Sequence, residues 1–296
     1  MSLLRRLILG FPALWLLLFF LAPFALVARI SLSCPAIAQP PYEPAFFFSD
    51  GIAGLSEKLQ SLSLDAYALI FDDNLYLAAC LSSLRLAAMA TVMTLIIAFP
   101  LAHAMTRAPA RWRPALVLLA IAPFWTSFLI RIYAWIMILK DEGLLNNALI
   151  SLHLIDAPLS IFASETAVLI GIVYSYLPFM ILPLYTALDR QDPTLLEAAA
   201  DLGATPLRTF WRITVPLAWP GIVAGALLVF IPAVGEFVIP DLLGGSDTLM
   251  IGRILWNEFF ENRDWPAASA VAIVLLLMLL VPILWHERMQ LKDRES

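Results

Sequence analysis

Six stretches of roughly 20 mostly apolar residues, each ended by charges, prolines or polar clusters, dominate the chain. They cover residues 7–27, 76–104, 114–139, 167–188, 217–239 and 266–285. A helix needs about 20 residues to cross roughly 30 Å of hydrocarbon, and within lipid every backbone N–H and C=O must find its partner inside the chain. An all-α integral membrane protein of six transmembrane helices is therefore expected. Composition agrees: 61% of the 296 residues are hydrophobic and 14% charged, against about 25% charged in a soluble domain. So few polar groups cannot cover a water-soluble enzyme. A net charge of −5 without a long basic stripe excludes a nucleic-acid binder. The first run follows Arg5 and Arg6 as a signal peptide would, but it is too long and no small-x-small cleavage site ends it. It reads as an uncleaved span.

Charge sets the expected orientation. With six spans both termini lie on one side, and that side carries Arg5, Arg6, Arg107, Arg111, Arg113, Arg190, Arg208, Arg212, Arg288, Lys292 and Arg294, eleven of the 18 basic residues. The opposite loops hold Arg29, Lys58, Lys140, Arg253 and Arg263. By the positive-inside rule both termini are cytoplasmic. The outer loops are rich in Asp and Glu, which would draw cations to that face or simply keep the loops soluble. The outer loop at 31–75 is long; Pro35, Pro40, Pro41 and Pro44 break it before a polar, helix-like stretch. It would cap the outer mouth or receive a partner. Cys34 and Cys80 fall towards that same face, either as small buried side chains or, in an oxidising compartment, as a disulfide. His103, His153 and His286 are far apart, so no metal site is expected.

The most informative segment is EAAADLGATPLRTFWRITVP at 197–216. Just before it, Asp192 is a good N-cap and Pro193 suits the first helical turn. Residues 194–202 are mainly helix formers, and Gly203 suits the left-handed position that ends a helix. Thr205 and Pro206 repeat the start signal, so a second short helix over 207–213, ending near Pro216, is expected. This helix, glycine bend and helix would expose Leu195, Leu196, Ala198, Ala199, Leu202, Phe210 and Trp211, more apolar surface than a solvated loop presents. Such an element fits a groove on another protein or lies on lipid headgroups.

The order Glu-Ala-Ala, three residues, Gly, nine residues, Ile, one residue, an apolar residue and Pro resembles the EAA loop of the permease subunits of bacterial binding-protein-dependent ABC importers. Glu197, Ala198, Ala199, Gly203, Ile213 and Pro216 match it, and Val215 stands where leucine is usual. PFWTSFLIRIYAWIMIL at 123–139, IVYSYLPFMILPLYTAL at 172–188, FIPAVGEFVIPDLLGG at 230–245 and MIGRILWNEFFENRDWPAASAVA at 250–272 are similar to the permeases of polyamine importers, of the putrescine type. The resemblance implies a type I ABC importer permease fold in the bacterial inner membrane. It further implies that Glu197, Ala198, Ala199, Asp201 and Leu202 form a coupling helix that docks into an ATPase subunit, with Gly203 as its hinge. The implied partners are a homodimer of ATP-binding subunits, a second homologous permease and a periplasmic polyamine-binding protein.

The chain has no residues of its own for catalysis or for ATP. Gly244 and Gly245 are followed by no lysine, and neither a Walker A loop nor an HExxH motif occurs. No cofactor is expected, and ATP is bound by a partner.

Ionisable groups within spans mark pathways, and three qualify: Arg85, Arg131 and Glu236. Pro232 and Gly235 precede Glu236, and Pro240 and Asp241 follow it, so a broken helix is expected there. An elongated diamine needs carboxylates for its ammonium groups and aromatic faces for cation–π contact. Glu236 and Asp241, with Trp125, Tyr133, Trp135, Tyr174 and Tyr176, supply those types. The competing arrangement is a buried pair of Glu236 with Arg131 or Arg85, with the aromatics as interface anchors or core.

The expected layout is an N-terminal span and outer loop over 1–74, a five-helix permease core over 75–286 with its coupling loop at 189–216, and a cytoplasmic tail over 287–296. Its expected function is polyamine import by alternating access, powered by the partner ATPase. The rivals are a permease for another small solute and a self-contained secondary transporter. The latter would show helix breaks at matching places in both halves, whereas the sequence offers one clear break, near Glu236. A membrane scaffold without transport would need no interrupted spans at all.

Overall fold

The computed structural model describes residues 3–45, 58 and 60–295. Most of the polar stretch after Pro44, with Asp50 and Glu57, lies outside them, as do the side chains of Arg5, Arg6, Arg288, Lys292 and Arg294. Among the described residues, five helices are long and apolar enough to cross a bilayer: Gly10–Ile30, Asn74–Arg107, Glu165–Asp189, Pro206–Val234 and Trp265–Leu284. The sixth expected span, 114–139, is not one continuous helix. Arg113–Trp125 and Phe128–Ser151 meet at 87°. Pro123 removes one N–H from the helical ladder; Ala122–Trp125 tightens to a 3₁₀ turn, and Thr126 and Ser127 are extended. Thr126 Oγ1 donates to the Pro123 carbonyl at 2.8 Å, the local alternative to a ladder that a hydroxyl residue offers.

The chain forms two compact units. The first comprises Met1–Cys80 with Ile251–Ser296. Helices α1 (Leu3–Leu16) and α2 (Ala22–Ile30) join through a π turn at Leu17–Leu21 into the first span. The proline-rich loop allows only a two-residue antiparallel pair, β1 (Cys34–Pro35) with β2 (Tyr42–Glu43), followed by α3 (Asp65–Asp72). Arg29 Nη2 donates to Tyr42 Oη at 3.0 Å, and the hydroxyls of Ser31 and Tyr67 lie 2.7 Å apart. Both cysteines are free and half-buried, with Cys34 Sγ 3.6 Å from Ser63 Oγ. At the other end of the chain, an amphipathic helix runs over Ile251–Phe260. It packs on the last helix, Trp265–Glu295, which also contacts α2, α3 and β1. Tyr76 Oη, in the first turn of α4 (Asn74–Arg107), donates to Glu258 Oε1 at 2.9 Å.

The second unit is Leu81–Met250. After α4 come α5 (Arg113–Ile121), α6 (Phe128–Leu139), α7 (Leu144–Ser151), α8 (Glu165–Asp189), α9 (Pro193–Asp201), α10 (Pro206–Thr209), α11 (Val215–Val234) and α12 (Val238–Leu243). Buried Asn146 of α7 bridges the chain on both sides of its helix: Nδ2 donates to the Lys140 carbonyl at 3.3 Å and to the Leu159 carbonyl at 3.0 Å, and Oδ1 accepts from the Leu159 N–H at 2.8 Å. The core is built around α8 and α11, with Met180, Leu184 and Leu188 packed against Ala218, Ile222 and Val229 and against Ala98 and Ala102 of α4.

The close approach of α8 and α11 depends on the GxxxG at Gly221 and Gly225. A Cβ at Gly221 would meet Ala187 Cβ at 2.5 Å and the Pro183 carbonyl oxygen at 2.8 Å; at Gly225 it would meet Met180 Sδ at 2.6 Å. The motif thus faces a neighbouring span of the same chain. Gly221→Leu is expected to push the two helices apart, at about 1–3 kcal/mol or more, and to reduce membrane abundance and thermal stability in detergent. Gly10→Leu, at a position with nothing within 4 Å, is the control. Equal stability of the two variants would contradict this packing.

Candidate functional site

The segment between the fourth and fifth spans folds as its local signals dictate. Asp192 Oδ1 accepts from the Thr194 N–H at 3.0 Å and caps α9, and that hydrogen bond holds its carboxyl below the ordinary aspartate range. At the other end the Ala204 N–H donates to the Ala199 carbonyl and the Gly203 N–H to the Ala200 carbonyl, both at 2.9 Å. With Gly203 at φ +77°, this is a Schellman ending. Thr205 Oγ1 then accepts from the Arg208 N–H at 3.4 Å to start α10. Glu197, Ala198, Asp201 and Leu202 are exposed, Leu202 by 88%, as are Leu195 and Trp211.

Three expectations for this segment need correction. Ala199 is only 7% exposed, because α9 turns one small-residue face inward. Leu196 and Phe210 are half-buried; the Phe210 ring sits edge-on to Phe99 at 5.3 Å and to His103 at 6.4 Å. The second short helix does not stop near Pro216. It passes through a π turn, Phe210–Thr214, straight into α11. Widening the turn accommodates the N–H that Pro216 lacks and its clash with the preceding turn. Gln191 Nε2 donates to the Thr214 carbonyl at 3.0 Å, and Arg113 Nη1 pairs with Asp189 Oδ1 at 2.9 Å. The first contact ties the chain just before α9 to the turn that leads into α11, and the second joins the start of α5 to the end of α8. Sequence inspection counted Arg113 only for topology and passed over Gln191 and Asp189.

The second region lies where α11 breaks off after Val234 and α12 begins at Val238. Glu236 fills the gap and is 8% exposed. Its Oε1 accepts from the N–H groups of Val238 at 3.0 Å and Ile239 at 3.4 Å, while Oε2 accepts from the Tyr176 hydroxyl. The carboxylate therefore caps α12 and keeps about one of its four acceptor positions free. The alternative pairing with an arginine is not formed. Arg85 pairs with Glu165 at the start of α8. Arg131, 8% exposed, lies with its guanidinium 5.5 Å from the Phe124 ring and 5.6 Å from the Phe128 ring, and its Nε and Nη1 have no hydrogen-bond partner.

Of the aromatic residues expected near Glu236, Tyr176 touches it and Trp135 packs edge-on to Tyr174 at 5.3 Å. Trp125, Tyr133 and Asp241 are exposed. Two residues that sequence inspection missed link the cluster: Phe179 lies 6.0 Å from Tyr176 and 5.0 Å from Phe124. Phe179 stands three residues after Tyr176, on the same helix face, which was the available signal. From Phe179 a groove of about 780 Å³ runs along the seam of α8 and α11, past Thr186 and Ala224, to Arg190 and Asp192 at the start of α9.

Residues 2–286 match the family described as binding-protein-dependent transport system inner membrane component. The chain is 44% identical, over 226 residues, to the spermidine/putrescine transport system permease protein PotB of Escherichia coli (strain K12), covering 76% of this chain and 82% of that one. It is 39% identical over 282 residues to the PotB of Haemophilus influenzae, covering 95% and 92%. Among solved structures, a chain of the bacterial alginate ABC transporter in complex with an alginate pentasaccharide-bound periplasmic protein superposes with a TM-score of 0.71. That match covers 99% of this chain and 96% of the other at 17% identity, a likeness of fold.

Proposed function

Because this chain belongs to the family of binding-protein-dependent transport system inner membrane components, an all-α multi-pass permease of the type I ABC importer fold, we propose that it carries polyamines, putrescine foremost and spermidine second, across the inner membrane. It works beside a second homologous permease and a homodimer of ATP-binding subunits, and takes its cargo from a periplasmic polyamine-binding protein. Both termini are cytoplasmic in this reading, so the segment around Gly203 faces the ATPase. Glu197, Ala198, Asp201 and Leu202 form the docking surface, and Ala199 holds α9 against the permease. ATP-driven closure of the ATPases pulls on this segment. The π turn carries the movement into α11, which ends at the Glu236 break, so the spans rock between inward-open and outward-open states.

The observation that carries the substrate reading is Glu236: a buried carboxylate at a helix break, held by Tyr176 and two backbone N–H groups, with one acceptor position left for an ammonium group. Relatives named for spermidine and putrescine transport support it. Tyr174, Tyr176 and Trp135 offer ring faces to the methylenes and the second charge, while Asp241, Trp125 and Tyr133 form the exposed approach. Arg131 supplies a fixed positive charge that orients the amine towards Glu236. The test is uptake of labelled putrescine and spermidine into cells lacking this protein and other amine importers, with and without the native gene. Restored putrescine uptake is the expected result; uptake unchanged by the gene would remove the substrate assignment while leaving family membership intact.

A further inference from the structure

The groove between α8 and α11 starts where the Glu236 cluster ends, and one ring belongs to both. Phe179 lines the head of the groove and packs against Phe124 and Tyr176. Each of those two neighbours is held from behind: Phe124 by the Arg131 guanidinium and Tyr176 by Glu236. Phe124 belongs to the 3₁₀ turn at the corner of the broken third span, so a movement of that corner would part the rings.

We propose that Phe179 and Phe124 form a plug between the Glu236 site and the groove, and that the groove is the path by which a hydrated aliphatic amine leaves towards the cytoplasm. The proposal rests on the reading of Glu236 as the carboxylate that receives the amine. The groove is broad, about 780 Å³, and its mostly apolar lining is interrupted by Thr186, Arg190, Gln191 and Asp192, so it offers an aliphatic amine contact for its methylenes while the ammonium groups keep their water. Asp192 is the groove's only carboxylate, and it already accepts from the Thr194 N–H. Arg190 beside it repels a cation. An amine released from Glu236 thus meets nothing that would retain it, as an exit requires. An incoming ammonium group competes with the Tyr176 hydroxyl for Glu236, and displacing Tyr176 withdraws one support from Phe179. The groove ends at the N-cap of α9, which places the exit beside the segment that the ATPase moves.

The test uses the assembled transporter in a Cys34→Ser, Cys80→Ser background carrying Thr186→Cys or Ala224→Cys, with a small cationic thiol reagent applied to vesicles of either orientation. Both cysteines are expected to react from the cytoplasmic side and to be protected from the outer side. Adding Phe179→Ala should raise the outer-side rate by about tenfold, two ring contacts being removed. Phe124→Ala should do the same should the first variant fail to reach the membrane. Cysteines that react only with a membrane-soluble maleimide would place the groove against lipid and overturn the path. An outer-side rate unchanged in both ring variants would overturn the plug. These rates are read without any transported amine, so they stand or fall separately from the uptake assay.

Discussion

Gly203→Pro is expected to abolish amine uptake while the protein reaches the membrane at native abundance. Gly203 sits at φ +77°, whereas proline is locked near −65°. Its N–H, which donates to the Ala200 carbonyl at 2.9 Å, would be missing as well. Together these cost about 3 kcal/mol or more in local conformation, or roughly a hundredfold in the population of the native bend. A side chain at Gly203 would meet nothing within 4 Å, so the penalty lies in the backbone and not in packing. The same reasoning ranks the milder variants. Gly203→Asn, which tolerates the left-handed region, should retain most activity, and Gly203→Ala should lose about 1 kcal/mol. Uptake measured alongside ATP hydrolysis by the reconstituted complex reads the coupling directly, since the bend should matter for linking hydrolysis to transport and not for hydrolysis alone. Native uptake by the proline variant would remove Gly203 from the coupling path.

Changes at Glu236 should separate its two duties. Glu236→Ala leaves the Tyr176 hydroxyl and the N–H groups of Val238 and Ile239 without an acceptor in a buried site. At about 1–3 kcal/mol for each stranded group, the start of α12 should loosen and membrane abundance fall. Glu236→Gln keeps an oxygen for the two N–H groups but removes the charge. It should leave abundance near native and cut polyamine uptake by about tenfold to a hundredfold, as expected when a charge-assisted contact of roughly 1.5–3 kcal/mol is lost. Glu236→Asp, charged but shorter, should fall between. A Glu236→Gln protein that transports at the native rate and native abundance would reduce Glu236 to a cap for α12.

The segment between the fourth and fifth spans was legible almost residue by residue. Asp192, Pro193, Gly203, Thr205 and Pro206 each act on backbone groups within about four residues, so their identity and order suffice to start and end a helix. Its inward face was less so. Ala198 and Ala199 are adjacent and chemically the same, yet one is exposed and the other buried, and only the neighbours that α9 packs against distinguish them. The broken third span carried a signal in Pro123 followed by Thr126 and Ser127 that the unbroken hydrophobicity of 114–139 outweighed. The 87° bend adds a second helix break to the one near Glu236, so the number of breaks does not by itself argue against a secondary transporter. Membership of the importer family now rests on the match over residues 2–286.

Sequence by itself marked the runs apolar enough for lipid, and five of them form long continuous helices, since lipid offers the backbone no hydrogen-bond partner outside the chain; the bent run at 114–139 is the exception. It also determined the caps and the bend at Gly203 between α9 and α10, whose hydrogen bonds close locally. The tertiary structure alone decided which ionisable groups are partnered. Glu236 meets Tyr176 across 60 residues and Arg85 meets Glu165 across 80, while Arg131 is left with two buried nitrogens unpaired. Pairing at such separations depends on which helix faces are brought into contact. Apolar spans of nearly uniform hydrophobicity leave that choice to side-chain packing, and at Gly221 and Gly225 it is made by contacts with Ala187 and Met180 on the facing helix.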